Sequence, residues 1–446
     1  MINLDLKDKE ENIKLVLEND YIDRNRYLNG LINILNGLEE SKIIALDGDW
    51  GSGKTFFLKS LKYLMENEIT KINNIDNVLL EKLKQEYMVF YYNAWENDDA
   101  SSAMLSLIYK LVNDSLKESN LEIAVDATIN TMARTLNTII KFITNGSVDI
   151  KNDVFGEQWT NKKITDEIET SEEIKETFKE LITEILSGNK NKMLVIIDEI
   201  DRCKPTFAID LLENIKHFYD DDRVVFIVGT NNKQLGASVC KVYGEKYDGY
   251  SYLDKFFDIN LELPNNYLEK FISATKENQS FRNYPYNNFE EIAKYKKLTM
   301  REYNRYLKSM IFLKDYFNKE TDFGDKHITM FIKHIIMPLS LCMRIKEKEK
   351  YYKLISGDLF GEIEDLIKKV ELFYITGKEI VDLYDRNLFM ELKKKELKSE
   401  ELEERYLEII IKINNEIYYN LTKNNNLDFL KRRKWNTMLD MISMMN

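Results

Sequence analysis

Residues 42 to 55, Lys-Ile-Ile-Ala-Leu-Asp-Gly-Asp-Trp-Gly-Ser-Gly-Lys-Thr, restrict the possible fold more than any other stretch of the chain. An apolar run from Ile43 to Leu46 breaks into a glycine-rich turn, after which Phe56, Phe57, Leu58 and Leu61 recur at helical spacing. The pattern predicts a buried strand, a tight loop and a helix opening at about Gly53. Gly48, Gly53, Lys54 and Thr55 satisfy G-x-x-x-x-G-K-[ST], the signature of a loop that cradles phosphate. Gly48, Gly51 and Gly53 can take backbone angles closed to other residues, so successive N–H groups turn inward. The following helix aims its positive end at the same point. On this reading Gly48, Asp49, Trp50, Gly51, Ser52, Gly53, Lys54, Thr55 and Phe56 enclose a nucleotide. Lys54 is the point charge for the outer phosphates, and Thr55 offers its hydroxyl to Mg²⁺.

A phosphate loop acts with an acidic strand end, and Met193 to Ile197 followed by Asp198-Glu199-Ile200-Asp201-Arg202 has that form. Five apolar residues in a row suit a central strand of a parallel sheet, buried on both faces. Asp198 is the expected second Mg²⁺ contact, and Glu199 the group that orients or deprotonates an attacking water. Two further strands read the same way. Tyr87 to Tyr92 ends in the polar turn Asn93 to Asp99, and Val224 to Val228 runs into Gly229-Thr230-Asn231. Ligands of open α/β sheets sit at such carboxyl ends, where Thr230 or Asn231 can hold the water opposite Glu199. Asn232-Lys233-Gln234-Leu235 is close to the guanine-reading N-K-x-D motif, but Leu235 replaces the aspartate that must accept the base. This disfavours GTP.

The remaining pattern is mostly helical. A helix carrying Leu28, Leu31, Ile32 and Leu35 precedes the first strand, and either flanks a base or simply packs. Residues 101 to 190 are long for one crossover and predict a mainly helical insertion, with Thr170 and Glu173 as a capping box and Gly188 as a stop. Tyr252 to Pro264 reads as a helix end entering a fifth strand. Thr299 and Glu302 form another capping box, placing Arg301 in the first turn of a helix. Arg301 is either a lid arginine reaching the γ-phosphate or a solvated helix residue. These readings give a nucleotide domain over 1–265, a helical lid over 266–320 and an α-helical C-terminal domain over 321–446.

Composition limits the function classes. A net charge of −12 argues against a large nucleic-acid footprint. The three cysteines, Cys203, Cys240 and Cys342, and the three histidines share no metal-ligand spacing, which points to a reducing cytoplasm. The most apolar stretches, around Thr135 to Thr144 and Thr329 to Cys342, are short and interrupted by Lys141 and Lys333, so buried helices are expected rather than membrane spans.

Asn93-Ala94-Trp95, the run Ile197 to Pro205 containing Asp-Arg-Cys-Lys-Pro, and Tyr252-Leu253-Asp254-Lys255-Phe256 ahead of Leu263-Pro264 join the phosphate loop in resembling the KAP-family P-loop NTPases over about residues 20 to 312. The resemblance implies an α/β fold of the additional-strand class, related to AAA+ and STAND proteins, with a parallel sheet covered by helices on both faces. It further implies ATP and Mg²⁺ as ligands. Lys54, Thr55, Asp198 and Glu199 match the binding and hydrolysis positions; Asp201 and Arg202 match an acidic-basic extension without an assigned role. Lys255 matches a position suited to reaching a neighbouring subunit's nucleotide. Family members often carry membrane helices between the two nucleotide motifs, whereas this insertion has charges throughout. A switch in bacterial anti-phage defence, acting through a homo-oligomer or an effector encoded nearby, is the setting it suggests. A scaffold with little turnover and a nucleic-acid-stimulated ATPase are the alternatives.

Overall fold

The computed structural model describes residues 9–68, 72–100, 103–118, 171–186, 190–217, 221–264, 268–277, 287–320, 325–384, 399–423 and 429–444. Most of the expected insertion, with Thr170 and Gly188, lies outside them. The chain divides into two compact units, Leu6–Asn265 and Asn266–Asn446.

In the first unit five strands, β1 (Ile43–Asp47), β2 (Tyr87–Asn93), β3 (Lys192–Asp198), β4 (Val224–Thr230) and β5 (Ile259–Glu262), form a parallel sheet in the order β2-β3-β4-β1-β5. Parallel neighbours require crossovers, supplied by the helices after each of β1 to β4, while two more helices precede β1. In chain order the helices are α1 (Glu10–Asn19), α2 (Asn25–Asn36), α3 (Lys54–Glu66), α4 (Asn77–Glu86), α5 (Ala103–Glu118), α6 (Ser171–Leu186), α7 (Pro205–His217), α8 (Asn232–Tyr243) and α9 (Gly249–Leu253). Strand side chains alternate across the sheet. Ile43, Ala45, Phe90, Tyr92, Val195 and Phe226 share one core with Leu107 of α5, Leu181 of α6 and Leu211 of α7. Ile44, Leu194, Ile196 and Ile227 are buried on the opposite face, where α3 packs on β2, β3 and β4. Cover on both sides explains the unbroken apolar runs of β3 and β4.

β4 lies between β1 and β3, the inserted strand for which the additional-strand class is named. The register pairs Asp47 with Thr230 and Asn93 with Asp198, aligning the carboxyl ends along one edge. β5 is a short edge strand of alternating exposure.

The described residues of the second unit carry no strand. Its helices are α10 (Leu268–Glu277), α11 (Asn287–Tyr295), α12 (Met300–Glu320), α13 (Lys326–Lys346), α14 (Lys348–Ile355), α15 (Phe360–Lys369), α16 (Glu371–Tyr384), α17 (Ser399–Thr422) and α18 (Phe429–Met444). The capping box at α12 forms reciprocally: the Glu302 N–H donates to Thr299 Oγ1 at 3.2 Å, and the Thr299 N–H to Glu302 Oε2 at 2.8 Å. Among the described residues α13 alone is long and apolar enough to cross a membrane, and 61% of its apolar window is buried within the protein. It widens into a π-helix over Ile332–Ile336. Pro338 has no N–H to give the His334 carbonyl. Asn288 Nδ2 donates to that carbonyl instead at 3.0 Å, and also to Thr376 Oγ1 at 3.2 Å.

Candidate functional site

The turn after β1 is built for close backbone approach. Gly51 and Gly53 have φ of 83° and 90°, the left-handed region that glycine occupies without strain. At Gly48 a Cβ would lie 3.0 Å from Ser52 Oγ. The buried Lys54 ammonium donates to the carbonyls of Gly48 and Asp49, folding across the loop it belongs to. Burial lowers its pKa from the ordinary lysine value, opposed by the charges of Asp201, Asp198 and Asp47.

Sequence spacing does not reveal what fixes the outer side of this loop. The buried Arg24 guanidinium donates through Nη1 to the Gly53 carbonyl at 3.2 Å and through Nη2 to the Ser52 carbonyl. Holding both carbonyls outward leaves the N–H side of the loop facing in. Arg24 reaches it because the α1–α2 turn reverses tightly, with positive φ at Asp20 and Asp23.

The loop and the acidic tip meet. At the end of β3 the buried Asp198 accepts a hydrogen bond from the Thr55 hydroxyl. It also accepts from Tyr91 Oη at 2.7 Å and from the Glu199 N–H at 2.8 Å. Burial raises its pKa above the usual carboxylate value and Asp201 adds to this, while the three donors oppose it. A Cβ at Gly229 on β4 would stand 2.9 Å from Asp198 Oδ1 and 2.6 Å from Leu58 Cδ1, so only glycine leaves room for the carboxylate. A glycine inside a strand signals such an approach; Tyr91 has no comparable signal.

After Asp198 the chain takes one turn of 3₁₀-helix, Ile200–Arg202, with Glu199 left-handed at its start. Side chains three apart eclipse in that geometry. Arg202 Nη1 thus returns over the turn to Glu199 Oε1 at 2.9 Å. Asp201 turns the other way and accepts from Trp50 Nε1 at 2.6 Å, tying the middle of the phosphate loop to the acidic tip. Trp95, which taken alone reads as a packing residue, is half exposed and lies under the Arg202 guanidinium, 5.4 Å from ring centroid to Cζ. The Asn93 side chain shapes its turn, accepting from the Trp95 N–H at 3.1 Å, while the Ala94 N–H donates to the Asp198 carbonyl at 2.9 Å.

Asn231 follows β4 and caps α8, its Oδ1 accepting from the Gln234 N–H at 3.1 Å. Thr230 beside it is fully buried, and its hydroxyl has no protein partner. Leu235 is buried in the core and cannot face a base. Arg301 stands exposed in the first turn of α12, in the second compact unit.

The residues present fit a nucleotide with Mg²⁺. The buried Ser52 hydroxyl has no protein partner. At Gly48 an added side chain would crowd the Ser52 hydroxyl. Around Lys54 lie three carboxylates, Asp47, Asp198 and Asp201, an excess of negative charge that favours a divalent cation. Among the described residues no set of three or more His, Cys, Asp or Glu is placed to hold a metal without such a ligand.

Residues 24–342, well over half of the chain, match the model of the KAP family P-loop domain. A search of curated proteins returned no match.

Proposed function

The chain belongs to the KAP family of P-loop NTPases, and from that premise we propose that it binds ATP with Mg²⁺ and hydrolyses it as a molecular switch. The observation that carries the reading is the contact between Thr55 and Asp198, residues far apart in sequence whose side chains share one hydrogen bond. Gly48 to Phe56 surround the triphosphate, with the loop N–H groups and Lys54 on the phosphates. Thr55 and Asp198 would hold Mg²⁺, which when bound would neutralise charge on the phosphate oxygens. Glu199 orients a water and takes its proton, with Asn231 at the neighbouring strand end. Leu235 supports ATP over GTP.

Phosphate release from the purified protein tests the reading. Wild type should turn over, Lys54→Ala should lose nucleotide binding, and Glu199→Gln should bind without turnover. Equal release from all three would reject it. The wider setting we assign is cytoplasmic anti-phage defence through a homo-oligomer or an effector encoded nearby, which the family resemblance supports. Plaque counts on cells carrying wild type or Lys54→Ala test this; equal protection by both would remove ATP binding from it.

A further inference from the structure

We infer that Arg202 is a positioning residue for Glu199, held in place by Trp95. This rests on Glu199 acting on the water in the reading above.

Glu199 follows β3 in a left-handed conformation at φ 61°, and its side chain has three rotatable bonds. The 3₁₀ turn supplies the restraint by placing Arg202 Nη1 2.9 Å from Glu199 Oε1. The arginine is restrained in turn, because its guanidinium lies over the indole of Trp95, an attraction of cation to ring face. The backbone that carries the indole is set by the Asn93 side chain, which accepts from the Trp95 N–H, and by the Ala94 N–H on the Asp198 carbonyl. Base, arginine and tryptophan therefore form a chain anchored on the backbone of the metal-side carboxylate.

A simpler role, stapling the two turns together, is already filled. The Lys204 N–H donates to Asp98 Oδ2 at 3.2 Å and Lys204 Nζ to the Asp98 carbonyl at 3.3 Å, and the Ala94 contact adds a third tie. What Arg202 adds is directed at the Glu199 carboxylate.

The test combines kinetics with a readout that needs no nucleotide. Arg202→Ala should lower kcat by roughly ten- to a hundredfold, the scale of a small misplacement of a reacting group, with KM changed less than about twofold. Arg202→Lys should recover part of the loss, and Trp95→Phe should stay closer to wild type than Trp95→Ala. In ligand-free protein carrying 5-fluorotryptophan, the Trp95 fluorine resonance, assigned by its loss in Trp95→Phe, should move in Glu199→Gln as it does in Arg202→Ala. An Arg202→Ala protein with wild-type or raised kcat overturns the inference. So does one that loses nucleotide affinity in step with kcat, or a Glu199→Gln protein with an unmoved Trp95 resonance. A wild type that releases no phosphate would sink the hydrolysis reading itself, whereas an active wild type beside an indifferent Arg202→Ala would sink only the positioning role.

Discussion

Replacing Arg24 with alanine should damage a phosphate loop that lies 28 residues further along the chain. Arg24 is 4% exposed, and its guanidinium gives one hydrogen bond to each of two consecutive loop carbonyls, Ser52 and Gly53. Charged hydrogen bonds contribute about 1.5–3 kcal/mol each, so about 3 kcal/mol is at stake at the low end. Some of that loss falls on the ligand-free fold. The rest appears on binding, because a loop whose carbonyls are released must be ordered again before its N–H groups converge. If between half and all of it appears on binding, the dissociation constant for ATP rises roughly ten- to a hundredfold. Arg24→Lys should fall between, since one ammonium cannot fork across two carbonyls as a guanidinium does. Titration calorimetry with Mg·ATP measures the change, and circular dichroism confirms that the variant is folded. A folded Arg24→Ala protein that binds ATP within about twofold of wild type would refute the argument that this contact shapes the loop.

Asp198→Asn tests the cost of the buried carboxylate. Its native pKa is raised by burial, so its contribution to stability is present below the unfolded pKa and lost as pH rises through the native one. At neutral pH the ionised form is the unfavourable one. The amide variant, whose oxygen keeps the Glu199 N–H while its NH2 donates to the Tyr91 hydroxyl oxygen, should therefore melt at the same or a higher temperature at pH 7, with the advantage fading in acid, while Mg²⁺-dependent nucleotide binding falls. A lower Tm at pH 7 would contradict this. Gly229→Ala forces a methyl to 2.6 Å from Leu58 Cδ1, and overpacking of this kind costs about 1–3 kcal/mol. An unchanged urea midpoint would show that the strand yields instead. Asn288→Ala strips the His334 carbonyl of its side-chain donor, and thermal unfolding should report a loss of about 1–3 kcal/mol; no loss would mean that the π-helix satisfies that carbonyl unaided.

The elements that position the site are visible in the sequence wherever burial on both faces imposes a pattern. β1, β3 and β4 announce themselves as apolar runs, and the Thr299 cap of α12 as a spaced pair. The joining of Thr55 to Asp198 follows once the loop after β1 and the end of β3 are placed along one edge of a parallel sheet. Arg24 is hidden for a physical reason: its contact depends on two positive-φ aspartates that redirect the chain, and no periodicity encodes them. Tyr91 and Trp95 become informative only after β2 is registered against β3, since each acts on a residue of the neighbouring strand end. The π-helix of α13 could be suspected from Pro338 alone, but not its remedy on another helix.

Glu199 occupies a backbone position that costs an ordinary residue about 1–2 kcal/mol and glycine almost nothing. A change to glycine there would give a chain that folds at least as comfortably and has no carboxylate to direct a water. Libraries screened for heat resistance should accordingly enrich silent proteins at this codon, whereas screens for turnover should preserve the tension. One dihedral angle sets durability against chemistry.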